Sequence, residues 1–352
     1  MTLTECCSLI SPPDAKMMAL SRENWNRVAK PLGSLGKLED LIVQIAGITR
    51  TAAPSLDRKA VVAFCADNGI VAEGVTQSGQ EVSTLVAESM GRGTSSVCRM
   101  ARVAGAAVIP VDIGLHTPAN GPGVLDRSLR RGTANFAKEP AMTRAEAVQA
   151  IEVGISMVEY CQKAGYQLLA TGEMGIGNTT TSSAVTAVLL HRRAAEVTGR
   201  GAGLSTTGLT HKIEVIDRAI DLHRPDPNDP LDVLSKVGGL DLAGLVGLYL
   251  GGAAYHIPVI MDGFIAAAAA LVAVRLCPAV QSHLIASHWS EEPATVLILR
   301  ELGLSPILHA GMHLGEGTGA VALMPLLDMA LAVYQEASTF GNLQMDAYEA
   351  LQ

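Results

Sequence analysis

Aromatic side chains are scarce in this 352-residue chain: 4 Phe, 2 Trp and 6 Tyr make up 3% of it. With so few rings, the core has to be filled by aliphatic residues. The 49% hydrophobic fraction and 35 glycines suit packed helices on a buried sheet. The length is ample for a full core in one large domain or two smaller ones. Positive charge is also in deficit, with 26 Lys+Arg against 34 Asp+Glu and a net charge of −8. That argues against a nucleic-acid scaffold or a polybasic membrane surface. A small anionic substrate remains compatible, because local cations are enough to hold one phosphate.

Long apolar runs are missing as well. The most hydrophobic stretch, residues 242–276, is interrupted by His256, Pro258 and Asp262. No uncharged apolar run reaches the ~18 residues of a membrane helix. The N-terminus has neither a basic segment nor a long apolar core, so no secretory signal is evident. The six cysteines (6, 7, 65, 98, 161 and 277) contain no CxxC. They are read as reduced thiols of a cytoplasmic protein, with Cys65 a small core residue.

Short apolar runs at 60–65, 106–111, 167–170, 257–261 and 284–286 predict buried strands, and helical patterns separate them. Thr143-Arg144-Ala145-Glu146 is a capping box that opens a helix ending near Gly165. Residues 212–223 carry an amphipathic pattern, and Ser290 is placed to cap a helix with Glu291, Glu292 and Pro293 in its first turn. Alternating strands and helices predict an α/β fold with a mainly parallel sheet. Residues 1–50 and the last few dozen look helical, predicting a small helical layer made of both chain ends. The expected divisions are 1–50, a large domain 51–325, and a C-terminal part 326–352 that packs on the first. Residues 225–230 read as a turn-rich connector.

Polar and glycine residues gather where the predicted strands end: Asp67-Asn68-Gly69, Asp112, Gly172-Glu173, Asp262-Gly263 and Ser287-His288. Any one is an ordinary turn. Together they mark the edge along which open α/β sheets bind ligands. The third of these strands leads into Gly175-Ile176-Gly177-Asn178-Thr179-Thr180-Thr181 and then an apolar helix. Glycine-freed amides, hydroxyls and a helix N-terminus suit a phosphate. The segment has no Gly-Lys-Ser/Thr and is no Walker loop. Arg200-Gly201-Ala202-Gly203 and Lys212 are candidates to add donors and charge. In Leu314-Gly315-Glu316-Gly317-Thr318-Gly319 a single carboxylate stands between glycines, which lets backbone approach a ligand closely. His309 and His313 are four apart, but Gly311 separates them and no glutamate follows His309, so they are not read as a metal site. His256, His283 and His288 lack ligand spacing and are read as structural. Lys30, Ser34 and Lys37, in a Gly/Pro-punctuated loop, are further candidates to reach an anion.

In order along nearly the whole chain, Lys-Pro-Leu-Gly-Ser-Leu-Gly-Lys-Leu-Glu (30–39), Ala-Asp-Asn-Gly-Ile (66–70), Glu-Gly-Val (73–75), Gly-Glu-Met-Gly-Ile-Gly-Asn-Thr-Thr (172–180), Lys-Val-Gly-Gly (236–239), Asp-Gly-Phe (262–264) and Leu-Gly-Glu-Gly-Thr-Gly (314–319) resemble the nicotinate-nucleotide:dimethylbenzimidazole phosphoribosyltransferase family. The resemblance implies a Rossmann-like large domain and transfer of ribose phosphate from nicotinate mononucleotide to a lower-ligand base. It implies no cofactor and no metal, since the departing pyridinium already carries positive charge. It makes Glu316 the general base, expected in an apolar slot that raises its basicity, and Glu173 the second acid. Gly175, Gly177, Asn178, Thr179, Gly203 and Lys212 are implied for the ribose phosphate, and Ser78, position 86 and Leu314 for the acceptor. Family members dimerise, so a homodimer or a pair of paralogues is expected.

Three positions depart from the family pattern. Val86 stands where a glutamine helps hold the acceptor, Asn68 where histidine is usual, and His313 where arginine is common. Loss of the glutamine suits variant members that transfer to phenol or p-cresol as paralogous pairs, because a phenol has no ring nitrogen to pair with an amide. A non-catalytic partner subunit is a third reading, opposed by the intact acids. A nucleotide-dependent oxidoreductase would need a dinucleotide fingerprint after the first strand, and Asp67-Asn68-Gly69 is not one.

Overall fold

The computed structural model describes residues 1–348. Helices α1 (Leu3–Leu9), α2 (Ala15–Arg27) and α3 (Lys37–Thr49) precede the first strand, β1 (Lys59–Ala66). Then come α4 (Glu81–Gly91), α5 (Ser96–Val103), β2 (Ala106–Gly114), β3 (Leu125–Asp126), α6 (Arg144–Lys163) and β4 (Leu168–Met174). Helices α7 (Asn178–Leu189), α8 (Ala194–Val197), α9 (Thr206–His223), α10 (Pro230–Val237) and α11 (Leu240–Ala254) follow. The chain continues through β5 (Val259–Met261), α12 (Phe264–Leu276), β6 (Leu284–Ala286), α13 (Ala294–Glu301) and α14 (Thr318–Glu336).

The six strands form one parallel sheet in the order β3-β2-β1-β4-β5-β6. This is the Rossmann arrangement, with connections winding outward in opposite senses from β1 and β4. The crevice left at the C-terminal ends of those two strands is where such sheets bind ligands. Strand β1 shows why its sequence is apolar without alternation: both faces are covered. Ala60, Val62, Phe64 and Ala66 face one core, with α6, α11 and α12. Val61, Ala63 and Cys65 face another, with α3, α5 and α14.

All five predicted strands are present. The two-residue β3 was missed, being too short to carry a pattern. The capping box at Thr143 and Glu146 forms, and α6 stops before Gly165, whose φ is +80°. The helix predicted from Ser290 begins later, at Ala294. Glu292 is turned away from a first-turn role, because its carboxylate accepts the Gly201 N–H at 3.1 Å.

The chain ends meet. Trp25 and Tyr334 rings are 5.0 Å apart, and the Phe340 N–H donates to the Arg27 carbonyl at 3.0 Å. Helix α14 starts at Thr318 and runs through Pro325, so it spans residue 326, the expected start of the C-terminal part. Residues 349–352 of that part lie outside the described residues. Among the described residues, α14 is the one helix long and apolar enough to cross a membrane, and 56% of its apolar window is buried. It packs on the sheet through Ala320, Leu323, Met324 and Leu327.

Candidate functional site

Two adjoining cavities lie at the sheet's C-terminal edge. One, of about 280 Å³, is lined by Val86, Glu173, Asp262, His288, Leu314 and Glu316 among others. The second, of about 80 Å³, includes Ser78, Gly177, Arg200 and Lys212 in its wall. Gly175, Asn178 and Thr179 line both, so the two are compartments of one site. A larger cavity of about 740 Å³, next to Lys37 and Gln44, contains none of these residues.

Strand β4 delivers Glu173 to the bottom of the site, where it is 6% exposed. The turn Gly175-Ile176-Gly177 then reverses the chain, with Gly177 at φ +93° as the N-cap of α7. Serine and asparagine side chains hold this turn. Ser83 Oγ accepts the Ile176 N–H at 3.0 Å, and Asn68 Nδ2 donates to the Ile176 carbonyl at 3.4 Å. Asn178 Nδ2 donates to Glu173 Oε2. Helix α9 contributes Lys212, which is fully buried and donates to Thr179 Oγ1 at 2.8 Å and the Gly199 carbonyl at 3.3 Å.

The glycines around Glu316 have a packing use beside the one expected of them. A Cβ at Gly315 would fall 2.6 Å from Glu173 Oε1, and one at Gly317 would fall 2.7 Å from Val61 Cγ1. Its glycines let the loop nest against β1, β4 and Glu173, and Gly315 also lines the larger compartment. Gly172 is its counterpart on β4, where a Cβ would meet the Glu316 carbonyl at 2.7 Å. Asp262, at the end of β5, fastens the loop by accepting the Gly317 and Ala320 N–H groups at 3.2 and 3.0 Å. Glu316 itself sits at φ +60° and is half-buried. Its Oε2 accepts the Val97 N–H at 3.1 Å in the first turn of α5. The expected apolar slot is therefore corrected: the carboxylate rests on a helix N-terminus at the cavity wall.

Charge in the site is unevenly distributed. Burial, reinforced by the carboxylates of Asp241 and Asp262, pushes the Glu173 carboxyl up to about 8. Burial also pushes Asp241 up to about 6, with its bonds to Leu242 and Asn178 opposing. Asp262 is raised by burial, against the pull of His288. Lys212 is driven down to about 8 by burial, and Glu292 opposes that fall.

Other predicted residues are placed as follows. Gly203 lies outside both compartments. It holds φ +103° behind the Gly199–Gly201 loop, and its carbonyl accepts from Gln77 Nε2. Arg200 turns back, donating to the Leu204 carbonyl at 2.7 Å and Thr206 Oγ1 at 3.1 Å. The 30–39 segment does not join the site: Lys30 pairs with Glu39 at 2.6 Å and Lys37 donates to Ser305 Oγ at 2.7 Å. His313 is exposed, with Nδ1 3.1 Å from the Gly311 carbonyl, yet it lines the larger compartment. His288, read as structural, also lines that compartment, with Nδ1 2.9 Å from Ser287 Oγ. Sequence reasoning missed Asp241 and Glu292. Asp241 opens an apolar helix, and Glu292 reads as a first-turn acid behind the Ser290 cap. Neither carries a local signal for the site.

The Rossmann-ordered sheet, with buried acids beside a lysine-backed, glycine-rich loop at its C-terminal edge, is the scaffold of a transferase. The chain belongs to the DBI_PRT phosphoribosyltransferase family, whose model matches residues 10–344. It is 47% identical over 332 residues to a nicotinate-nucleotide–dimethylbenzimidazole phosphoribosyltransferase of Acetivibrio thermocellus, covering 94% of this chain and 95% of the relative. It is 44% identical to the enzyme of that name from Ruminiclostridium cellulolyticum, over 100% of both chains. The crystal structure of CobT from Thermus thermophilus superposes with a TM-score of 0.88 at 38% identity, covering 94% of this chain and 99% of that one.

Proposed function

We propose that this enzyme transfers the 5-phosphoribosyl group of nicotinate mononucleotide to dimethylbenzimidazole, releasing nicotinate and an α-ribosyl phosphate for cobamide assembly. One observation carries the reading: Glu173 and Glu316, from different elements, line one compartment that opens onto Lys212 and Thr179. Lys212, Thr179 and the Gly175–Asn178 turn take the phosphate, with Gly203 shaping the loop behind them. Glu316 removes the proton from the acceptor nitrogen. Glu173, which burial holds protonated near neutral pH, meets the pyridinium of the donor. That positive charge opposes the burial effect, so Glu173 ionises as the substrate enters and stabilises the cationic ribosyl transition state. Val86 and Leu314 border the acceptor in the larger compartment, and Ser78 meets it from the wall of the smaller one.

Val86 supports a second acceptor class. It presents an apolar wall where an amide would seek a ring nitrogen, and this suits phenol or p-cresol. The purified chain, given nicotinate mononucleotide with dimethylbenzimidazole or phenol in parallel, is expected to form the benzimidazole product, with the phenolic glycoside as the alternative. Glu316→Gln is expected to cut kcat by ~10²-fold or more while nicotinate mononucleotide still binds. Undiminished turnover by that variant would remove Glu316 from the base role. We further read the chain ends as one helical layer and the enzyme as cytoplasmic, working as a homodimer or beside a paralogue.

A further inference from the structure

Glu292 belongs to no step described so far, yet it sits inside the phosphate loop. Its Oε1 accepts the Gly201 N–H at 3.1 Å. Its Oε2 is buried with no hydrogen-bond partner, packed so closely on Gly199 that a Cβ there would overlap it. Gly199 is also the residue whose carbonyl accepts from Lys212 Nζ at 3.3 Å. The lysine's direct hydrogen-bond partners are neutral, a hydroxyl and a carbonyl. A buried ammonium without a counter-charge is costly, and Glu292 is the carboxylate close enough to offset that cost. The loop amide and the lysine are what a phosphate dianion would use. Glu292 also lines an adjoining cavity of about 400 Å³, shared with Gly199, Gly201, Pro293 and His313.

We propose that Glu292 is a resident anion: in the free enzyme its carboxylate occupies the Gly201 amide and balances Lys212, and substrate phosphate displaces it into the adjoining cavity. The proposal rests on the assignment of Lys212, Thr179 and the loop as the phosphate subsite. Its consequence is specific. Part of the phosphate's binding energy is used to evict a like charge, so the wild-type enzyme holds phosphate more weakly than its donors allow, and product release is eased. Glutamine at 292 keeps the acceptor for Gly201 and removes the charge.

The test is calorimetric titration of inorganic phosphate and of nicotinate mononucleotide at pH 6.5 into the wild type, Glu292→Gln and Lys212→Met. Glu292→Gln is expected to bind both about tenfold more tightly, as removal of one nearby like charge implies. Lys212→Met is expected to lose phosphate binding. If Lys212→Met loses it while Glu292→Gln is unchanged or weaker, the inference fails and the subsite stands. If Lys212→Met binds like the wild type, the subsite itself fails. Should Glu292→Gln not fold, a crystal structure of the wild type with phosphate decides the matter. A phosphate oxygen on the Gly201 amide with Glu292 turned away supports displacement, and an unmoved Glu292 overturns it.

Discussion

At the residue scale the site depends on which carboxyls hold protons. Glu173 shares its buried surroundings with Asp241, Asp262 and Glu316, and burial with these charges holds its proton until about pH 8. Asp241 is the neighbour that raises it most. The folded value exceeds the ordinary one, so Glu173 favours the folded state at low pH, and this contribution is lost as pH rises from the unfolded value through about 8. Activity runs in the opposite direction, since Glu173 has to lose this proton on the way to the transition state and the acidic limb of kcat/KM reports that ionisation from the free enzyme. Asp241→Asn removes one of the charges opposing that ionisation and keeps the shape of the side chain. The limb is expected to move to lower pH, read from kcat/KM between pH 5 and 9. An unmoved limb would mean that Asp241 is only a packing residue.

At the element scale, helices α6 and α11 are pressed together behind the sheet. Gly154 faces the backbone of Gly244 and Gly247, and Gly247 faces the Ile151 carbonyl, each so close that a Cβ would overlap backbone. This contact sets how far α11 stands from α6, while Gly244 of α11 also meets the Phe64 ring of β1 closely, and Asp241 lies at the N-terminus of the helix so placed. Alanine is the better helix former by ~1 kcal/mol. Even so, Gly247→Ala is expected to destabilise the protein by ~1–3 kcal/mol, because the obstacle is backbone and has no rotamer to yield. Urea unfolding measures this directly, and a variant as stable as the wild type would show that the two helices separate freely.

At the scale of the whole molecule, apolar side chains remain uncovered beside the site. Leu314, in the wall of the larger compartment, is 58% exposed, and Leu85, next to Val86 on α4, is 59% exposed. A second subunit over this edge would cover them and shield the transition state from water. Sedimentation equilibrium of the purified chain is expected to give twice the chain mass. A monomer that doubles only on addition of a paralogue would identify the mixed pair, and a monomer under all conditions would leave the edge open.

Much was legible in the residues themselves. Apolar runs bounded by glycine and polar residues predicted five strands, because a strand buried on both faces must be continuously apolar, and β1 is. The ordered motifs determined the family and pointed to Glu173, Glu316, Asn178, Thr179 and Lys212, which converge on one edge. Tertiary structure decided what spacing cannot encode. Lys212 meets Thr179 across 33 positions, Gly201 meets Glu292 across 91, and Glu316 meets Val97 across 219. Such pairs leave no local pattern. The packing of the glycines at 172, 315 and 317, and the places of Asp241 behind Glu173 and of Glu292 against the Gly199–Gly201 loop, follow from burial and neighbours. Those exist only once the sheet has brought distant segments together in a medium where charge is costly.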